Sequence, residues 1–194
     1  MSDTTKKIIL ASKSARRREL LEMLGLKFDI ITKDTDESGV IYDTPDELVK
    51  ELSLRKLKAV LPDADENSVV IAADTVVWCD GEVFGKPADI ADARRMLHAM
   101  SGSSHCVYTG ISVSDGKKTV TDAVCSTVYF RRLADSEIEY YITNCEVTDK
   151  AGAYGIQERA SLFVERIDGD YFNIVGLPVC RLGEILRDDF RIDI

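Results

Sequence analysis

The stretch Ser68-Val69-Val70-Ile71-Ala72-Ala73-Asp74-Thr75-Val76-Val77-Trp78 decides the fold. It is a near-continuous apolar run rich in β-branched side chains. Such a run predicts a central strand covered on both faces, as in parallel or mixed sheets. Asp80-Gly81 beyond it predicts a hairpin turn into Glu82–Phe84. One carboxylate, Asp74, interrupts the run, and a carboxylate in that setting needs a cation, a metal or several donors. Two readings stand. Asp74 is a metal ligand or general base at a strand end facing a cleft, or it is tied to backbone amides or an arginine.

Working outward, Lys6–Leu10 reads as a strand, and Ser14 caps a helix from Ala15 to Leu24 with Gly25 beyond its end. Leu20, Leu21 and Leu24 share one face of it. Phe28–Thr32 reads as a second strand, and Asp34–Ser38 as an acidic loop. Thr44-Pro45-Asp46-Glu47 starts a helix, with Thr44 as cap, Pro45 at the first helical position and Glu47 closing a capping box. That helix should run to Leu61, before Pro62. Asp89 caps a helix to Met100, and Asp135 begins one to Thr143. Val107–Ser114 and Thr119–Phe130 form a hairpin across Asp115-Gly116. Leu162–Ile167 and Tyr171–Val175 are expected to form another across Asp168-Gly169. Pro178 starts a terminal helix. Helices and strands alternate among hairpins, which predicts a mixed-sheet α/β fold. With no linker, repeat or low-complexity tract, residues 1–194 read as one structural unit, a bilobed form being left open.

Composition bounds the function. Lys+Arg number 25 against Asp+Glu 34, a net charge of −9, which argues against broad binding to nucleic acid or anionic membrane while leaving room for a local basic pocket. No apolar run approaches the roughly 20 residues of a membrane span, and residues 1–7 carry no signal-peptide core. The five cysteines are scattered, odd in number and without a CxxC pair, the pattern of reduced thiols in the cytoplasm. Two histidines exclude a His-rich metal site. His98 on a charged helix reads as solvated and His105 as structural.

Four further groups carry possible chemistry. Ser12-Lys13-Ser14-Ala15-Arg16-Arg17-Arg18 runs from a strand through a hydroxyl-bearing turn into a helix. Free N–H groups and the macrodipole at a helix start attract anions, whereas three arginines there oppose the dipole. A bound phosphate would offset that cost, and arginine forks suit phosphate oxygens. The alternative is a solvated basic patch. The GxxxxGK[ST] phosphate loop is absent. Lys56 falls within the apolar arc of Leu48, Val49, Leu52, Ala59 and Val60, so it either snorkels to water or enters a polar cavity. In Gly85-Lys86-Pro87, Gly85 allows tight backbone geometry, and Lys86 either reaches over the Asp74 cleft or stands in water. In Asp149–Gln157, two glycines permit close backbone approach, and the Gln157 amide, donor and acceptor at once, suits reading a base edge. A plain connecting loop is the alternative.

Taken together, LASKSARRRELLEMLG, LSLRKLKAV, VVIAADTVVWCDGEVFGKP, MLHAMSGSSHCVYTG, DKAGAYGIQ and NIVGLP, in this order over nearly the whole chain, resemble the Maf family of nucleotide pyrophosphatases. The resemblance implies an α/β protein with a long mixed sheet and a cleft between two lobes, like the inosine-triphosphate pyrophosphatases. It implies hydrolysis of a nucleoside triphosphate to monophosphate and pyrophosphate with Mg²⁺ or Mn²⁺, the DKAGAYGIQ form being that of the dTTP/UTP branch. A homodimer is also implied. By position, Asp74 would be the proton acceptor and, with Glu37, a metal ligand. Ser12, Arg16, Arg17, Lys56 and Lys86 would hold the triphosphate. Arg16, Thr75 and Gln157 would select the base.

Three positions depart from the family pattern. Ala15 stands where proline is usual, Glu158 where glycine follows Gln157, and Ser103 where a long polar residue is usual. Glu158 bears on base selection. An alternative reading is a regulator of cell division that binds a nucleotide without turning it over. The retained acids Glu37 and Asp74 count against it, since a pure binder of phosphate gains from fewer negative groups.

Overall fold

A computed structural model describes residues 6–194; the reading of residues 1–5 falls outside the described residues. The elements in order are β1 (Lys7–Leu10), α1 (Ala15–Met23), β2 (Phe28–Ile30), α2 (Pro45–Val60), β3 (Ser68–Cys79), β4 (Glu82–Phe84), α3 (Ile90–Met100), β5 (Ser104–Ser114), β6 (Thr119–Phe130), α4 (Asp135–Asn144), β7 (Val164–Asp168), α5 (Tyr171–Val175) and α6 (Val179–Phe190). Short 3₁₀ turns occupy Leu61–Asp63, Ala151–Ala153 and Arg159–Phe163. The seven-stranded sheet has the order β2-β1-β3-β5-β6-β7, with β4 on β3. It is mixed: β1 is parallel to β2 and β3, while β4 and β7 run antiparallel to their neighbours β3 and β6. The mixed-sheet α/β architecture expected from the sequence is the one observed.

Two compact units divide the chain. The first comprises the residues up to Asp74, Thr109–Val124 and Gly176–Ile194; the second comprises Thr75–Tyr108 and Cys125–Val175. In the first, the parallel register Ile8↔Val69, Ile9↔Val70, Leu10↔Ile71 aligns β1 with β3. Side chains alternate across a strand, so Ile9 and Ala11 share a face with Val70 and Ala72. That face packs under α2 through Leu57 and Val60, with Ile31, Leu54 and Leu61 around it. Each such aliphatic burial contributes about 1.5–3 kcal/mol. The buried face of α2 takes in Leu57 and leaves Ala59 partly exposed, a shift from the arc read off the sequence. Gly110 of β5 lets α2 come close: a Cβ there would lie 2.1 Å from the carbonyl oxygen of Val49.

In the second unit the core is aromatic. His105, Phe130, Tyr154, Phe163 and Tyr141 meet edge to face, with centroids 4.8–5.9 Å apart, the arrangement that ring quadrupoles favour. Asp89 caps α3, its carboxylate accepting from the Asp92 amide at 2.8 Å. Asp80 and Gly81 both hold positive φ, 48° and 83°, the backbone of the tight hairpin turn expected there.

Two expectations fail. Tyr171–Val175 is a short helix, not the second strand of a hairpin. Asp170 begins it, its carboxylate accepting from the Phe172 amide at 2.8 Å. Gly169 serves close packing instead, since a Cβ there would lie 3.1 Å from Ser126 Cα. The other miss is the capping box on α2. Thr44 makes no side-chain cap bond, and Glu47 accepts from the amide of Asp43, one residue earlier, at 2.9 Å.

Candidate active site

The alternation that buries Val70 and Ala72 under α2 puts Asp74 next along the same face of β3. There the apolar cluster gives way to a charged group. Lys56, on α2 beside Leu57, turns its ammonium to Asp74 Oδ1 and, at 2.9 Å, to Glu37 Oε1. The snorkelling reading of Lys56 is therefore corrected: its Nζ pairs with the two acids. Asp74 is buried and Glu37 about half exposed. Two carboxylates separated by many residues in sequence thus converge on one cation.

Glu37 sits in the acidic loop between β2 and α2, and Arg55 fixes that loop. Its Nη1 donates to the carbonyls of Asp36 and Ser38, at 3.1 and 2.9 Å, the two residues flanking Glu37. Its Nε is held by Glu51 at 2.9 Å, one turn back along α2. Sequence reasoning missed Arg55. The i,i+4 spacing with Glu51 was visible, but it has the look of an ordinary surface pair.

The hydroxyl turn before α1 is built as the sequence predicts. Ser14 caps the helix, its oxygen accepting from the Arg17 amide at 3.5 Å. Ser12 Oγ accepts from the Ser14 amide and from Arg17 Nη1, both at 3.2 Å. With both acceptor positions of the hydroxyl taken, its proton is left to donate, which suits an anion. Arg17 is the hub of this region. Nε donates to Gly176 O at 2.8 Å and Nη1 to Ala73 O at 2.8 Å, next to Asp74. Burial holds the Arg17 guanidinium below its usual value, Asp74 draws it back up, Arg16 pushes it down and Glu37 raises it. Arg16, on the first turn of α1, therefore belongs to the same electrostatic group. Ser12, Arg16, Arg17, Glu37, Lys56 and Asp74 are brought together within the first unit.

The other three candidates lie in the second unit, Thr75 at its first position after Asp74 and the exposed Lys86 and Gln157 on two of its loops. Those loops are tied: the Gly152 amide donates to Gly85 O at 3.0 Å. Gly85 itself has ordinary φ and open space around a would-be Cβ, so its carbonyl, rather than the torsional freedom expected of it, is what the fold uses. Gly152 has φ of +68° and lies against Val77, which a Cβ would approach to 2.8 Å. Gln157 stands in a tight turn closed by the Glu158 amide on Gly155 O at 3.0 Å.

His98 is exposed, with Nδ1 4.0 Å from Asp135. His105 is buried, its Nε2 paired with Tyr154 Oη at 2.8 Å and its titration pushed down to about 4 by burial. His98 is solvated and His105 is packed in the core, as the sequence reading has them. Among the described residues no cluster of three His, Cys, Asp or Glu side chains forms a metal cage. Glu37 and Asp74 both reach the Lys56 ammonium, and carboxylate oxygens are the donors that a hard divalent cation takes.

A family model described as Maf-like protein matches residues 7–189. The chain belongs to the Maf family. Among curated Maf relatives, a protein of Alkaliphilus metalliredigens named dTTP/UTP pyrophosphatase is 47% identical over 190 residues, covering 97% of this chain and 98% of the relative. A Bacillus cereus protein of the same name is 44% identical, covering 99% and 94%. Of solved structures, the Staphylococcus aureus Ham1 protein aligns at 16% identity and a TM-score of 0.48, covering 67% of this chain and 73% of that one.

Proposed function

We propose that this protein is a nucleoside triphosphate pyrophosphatase acting on dTTP and UTP, releasing the monophosphate and pyrophosphate. The observation that carries the reading is Lys56 held between Asp74 and Glu37, beside a helix start that offers Ser12, Arg16 and Arg17 to an anion. The names of the Alkaliphilus and Bacillus relatives support the same chemistry.

Water attacks the α-phosphorus in line with the bond to the β-phosphate. The new P–O bond forms as the α–β bridge breaks, and the proton of the water passes to Asp74. Lys56 engages Asp74 through Oδ1, which assigns Oδ2 to the water. A positioned base of this kind contributes about 10²–10⁴ in rate. The cations at Lys56 and Arg16 stabilise charge on the departing pyrophosphate. Positioning and electrostatics suffice for such a transfer, and no covalent intermediate is needed. Glu37 and Asp74 would hold Mg²⁺ or Mn²⁺, which supplies charge neutralisation on the phosphate oxygens. The choice of base is assigned to Gln157 and Thr75. Uracil and thymine share one edge, an N3–H donor beside an O4 acceptor, which a glutamine amide pairs with while ignoring the 5-methyl group.

We assign the protein to the cytoplasm on its free thiols and expect a homodimer, which sizing in solution tests. Among the described residues no helix is long and apolar enough to cross a membrane. Pyrophosphate release from a panel of nucleoside triphosphates, with Mg²⁺, with Mn²⁺ and with chelator, tests the function. UTP and dTTP should lead and chelator should abolish release. Binding without release on every nucleotide would contradict the reading.

A further inference from the structure

Glu37 is held at both ends by consecutive residues of α2. Lys56 takes its carboxylate, Nζ to Oε1 at 2.9 Å. Arg55 takes the backbone around it: Nη1 donates to the carbonyl of Asp36 at 3.1 Å and to that of Ser38 at 2.9 Å. Two carbonyls two residues apart thus aim at one nitrogen, and Glu37 is the residue between them. The Asp36 carboxylate closes the same bend from within, accepting from the Ser38 amide at 2.8 Å, an Asx turn. On the other side of Arg55, Glu51 holds Nε at 2.9 Å, one helical turn back, which keeps the guanidinium from swinging out to water. The need for such a hold is physical. Residues 31–44 lie between β2 and α2 in no helix or strand, so no ladder fixes the path of the chain at Glu37. Its carboxylate is about half exposed. A charge on an unpinned loop loses to chain entropy and water much of what one exposed ion pair returns. Asp74, by contrast, is fixed by β3.

We propose that Arg55 is a positioning residue for the hydrolysis: it sets the backbone at Glu37 so that the carboxylate stays at the centre formed by Lys56 and Asp74. The inference rests on the pyrophosphatase reading and deepens it. The bonds of the guanidinium go to Glu51 and to the loop, so Arg55 acts through Glu37 and not on the nucleotide. Misplacing a group at a reacting centre by about 1 Å costs up to about a hundredfold in rate. A loosened loop that still visits the right place part of the time costs less. Ser12 and Arg16, assigned to the phosphates, stand at the start of α1 and are left in place. Loss of Arg55 should therefore appear in kcat and in affinity for the divalent ion, with KM little changed.

The test is a double-mutant cycle of Arg55→Met and Glu37→Gln. Methionine keeps an aliphatic stem and removes the donors. Two readouts are taken. One is kcat and KM for UTP. The other is Mn²⁺ bound to protein carrying the α,β-imido analogue of UTP, followed by electron paramagnetic resonance, which needs no turnover. Arg55→Met alone should lower kcat about tenfold and Mn²⁺ affinity about fivefold, with KM within about threefold and a near-normal thermal midpoint. In the Glu37→Gln background the same change should lower Mn²⁺ affinity by less than about twofold, because the group it positions is already gone. Glu51→Gln, which loosens Nε and leaves Arg55 in place, should move both readouts the same way by about twofold, and it carries the test if Arg55→Met folds poorly. A merely structural role would cost the same in both backgrounds. That outcome, or wild-type behaviour in Arg55→Met, overturns the positioning role and leaves the pyrophosphatase intact. Wild-type protein that releases pyrophosphate from no nucleotide overturns the function and the role of Arg55 with it.

Discussion

Arg17 donates through Nη1 to the backbone carbonyl of Ala73 at 2.8 Å, one residue before the carboxylate of Asp74. The same guanidinium reaches Gly176 O and Ser12 Oγ, so the start of α1, the middle of β3 and the segment leading to α6 are fixed to one planar group. A lysine keeps the charge but cannot span those acceptors, because its donors radiate from a single point. Arg17→Lys should therefore lose about as much kcat as Arg17→Met, roughly tenfold or more, each lost charge-assisted bond being worth about 1.5–3 kcal/mol. Steady-state kinetics of the two variants check this. Near-normal turnover in Arg17→Lys would mean that charge alone is used.

Lys56 separates two acids. Lys56→Met leaves Asp74, a buried carboxylate, beside Glu37 with no shared cation, and should destabilise the protein by about 1–3 kcal/mol. Added Mg²⁺ should recover more of the thermal midpoint in the variant than it adds to wild type. Melts with Mg²⁺ and with chelator read the difference directly.

Gly110 tests how tightly α2 is seated. A Cβ there would lie 2.1 Å from Val49 O and 2.3 Å from Val49 C, backbone atoms that cannot move without shifting the helix carrying Arg55 and Lys56. Gly110→Ala should destabilise by about 3 kcal/mol or more. Denaturant unfolding measures it, and a cost below about 1 kcal/mol would show that the helix yields easily.

His105 gives the fold a pH dependence. Burial lowers its titration from 6.5 to about 4. Between those values the unfolded chain binds a proton that the folded chain does not, so stability rises with pH across the window and is lost as pH falls through it. The full swing is about 3 kcal/mol. Unfolding of wild type and His105→Gln at pH 4, 5.5 and 7 isolates this share from that of the carboxylates. The variant should show the flatter profile, and parallel profiles would contradict the assignment.

Much of the fold was legible in the chain. The β-branched run at Ser68–Trp78 is the central strand, Ser14 does cap α1, and Asp80-Gly81 turns as its residue types demand, because each of these signals is local. Asp168-Gly169 misled for the same reason. The pair has turn chemistry, but the element after it is decided by Asp170 capping a helix and by Gly169 lying on Ser126. The helical arc around Lys56 was readable, while its partner was not: Asp74 meets it only because α2 packs over the face of β3 that carries Val70 and Ala72, a long-range contact. Arg55 escaped notice because two of its three partners are the backbone carbonyls of Asp36 and Ser38, which leave no trace in residue types.

In the proposed mechanism Asp74 is the group on which the chemistry turns, as the acceptor of a proton from water. Asp74→Asn keeps the size of the side chain and a hydrogen-bonding oxygen but removes the base. Pyrophosphate release from UTP by this variant, measured with binding of a non-hydrolysable α,β-imido analogue, is the most direct test. Turnover should fall by about a hundredfold or more while affinity for the analogue stays within about threefold. An Asp74→Asn protein that releases pyrophosphate at close to the wild-type rate would contradict the assignment of the base.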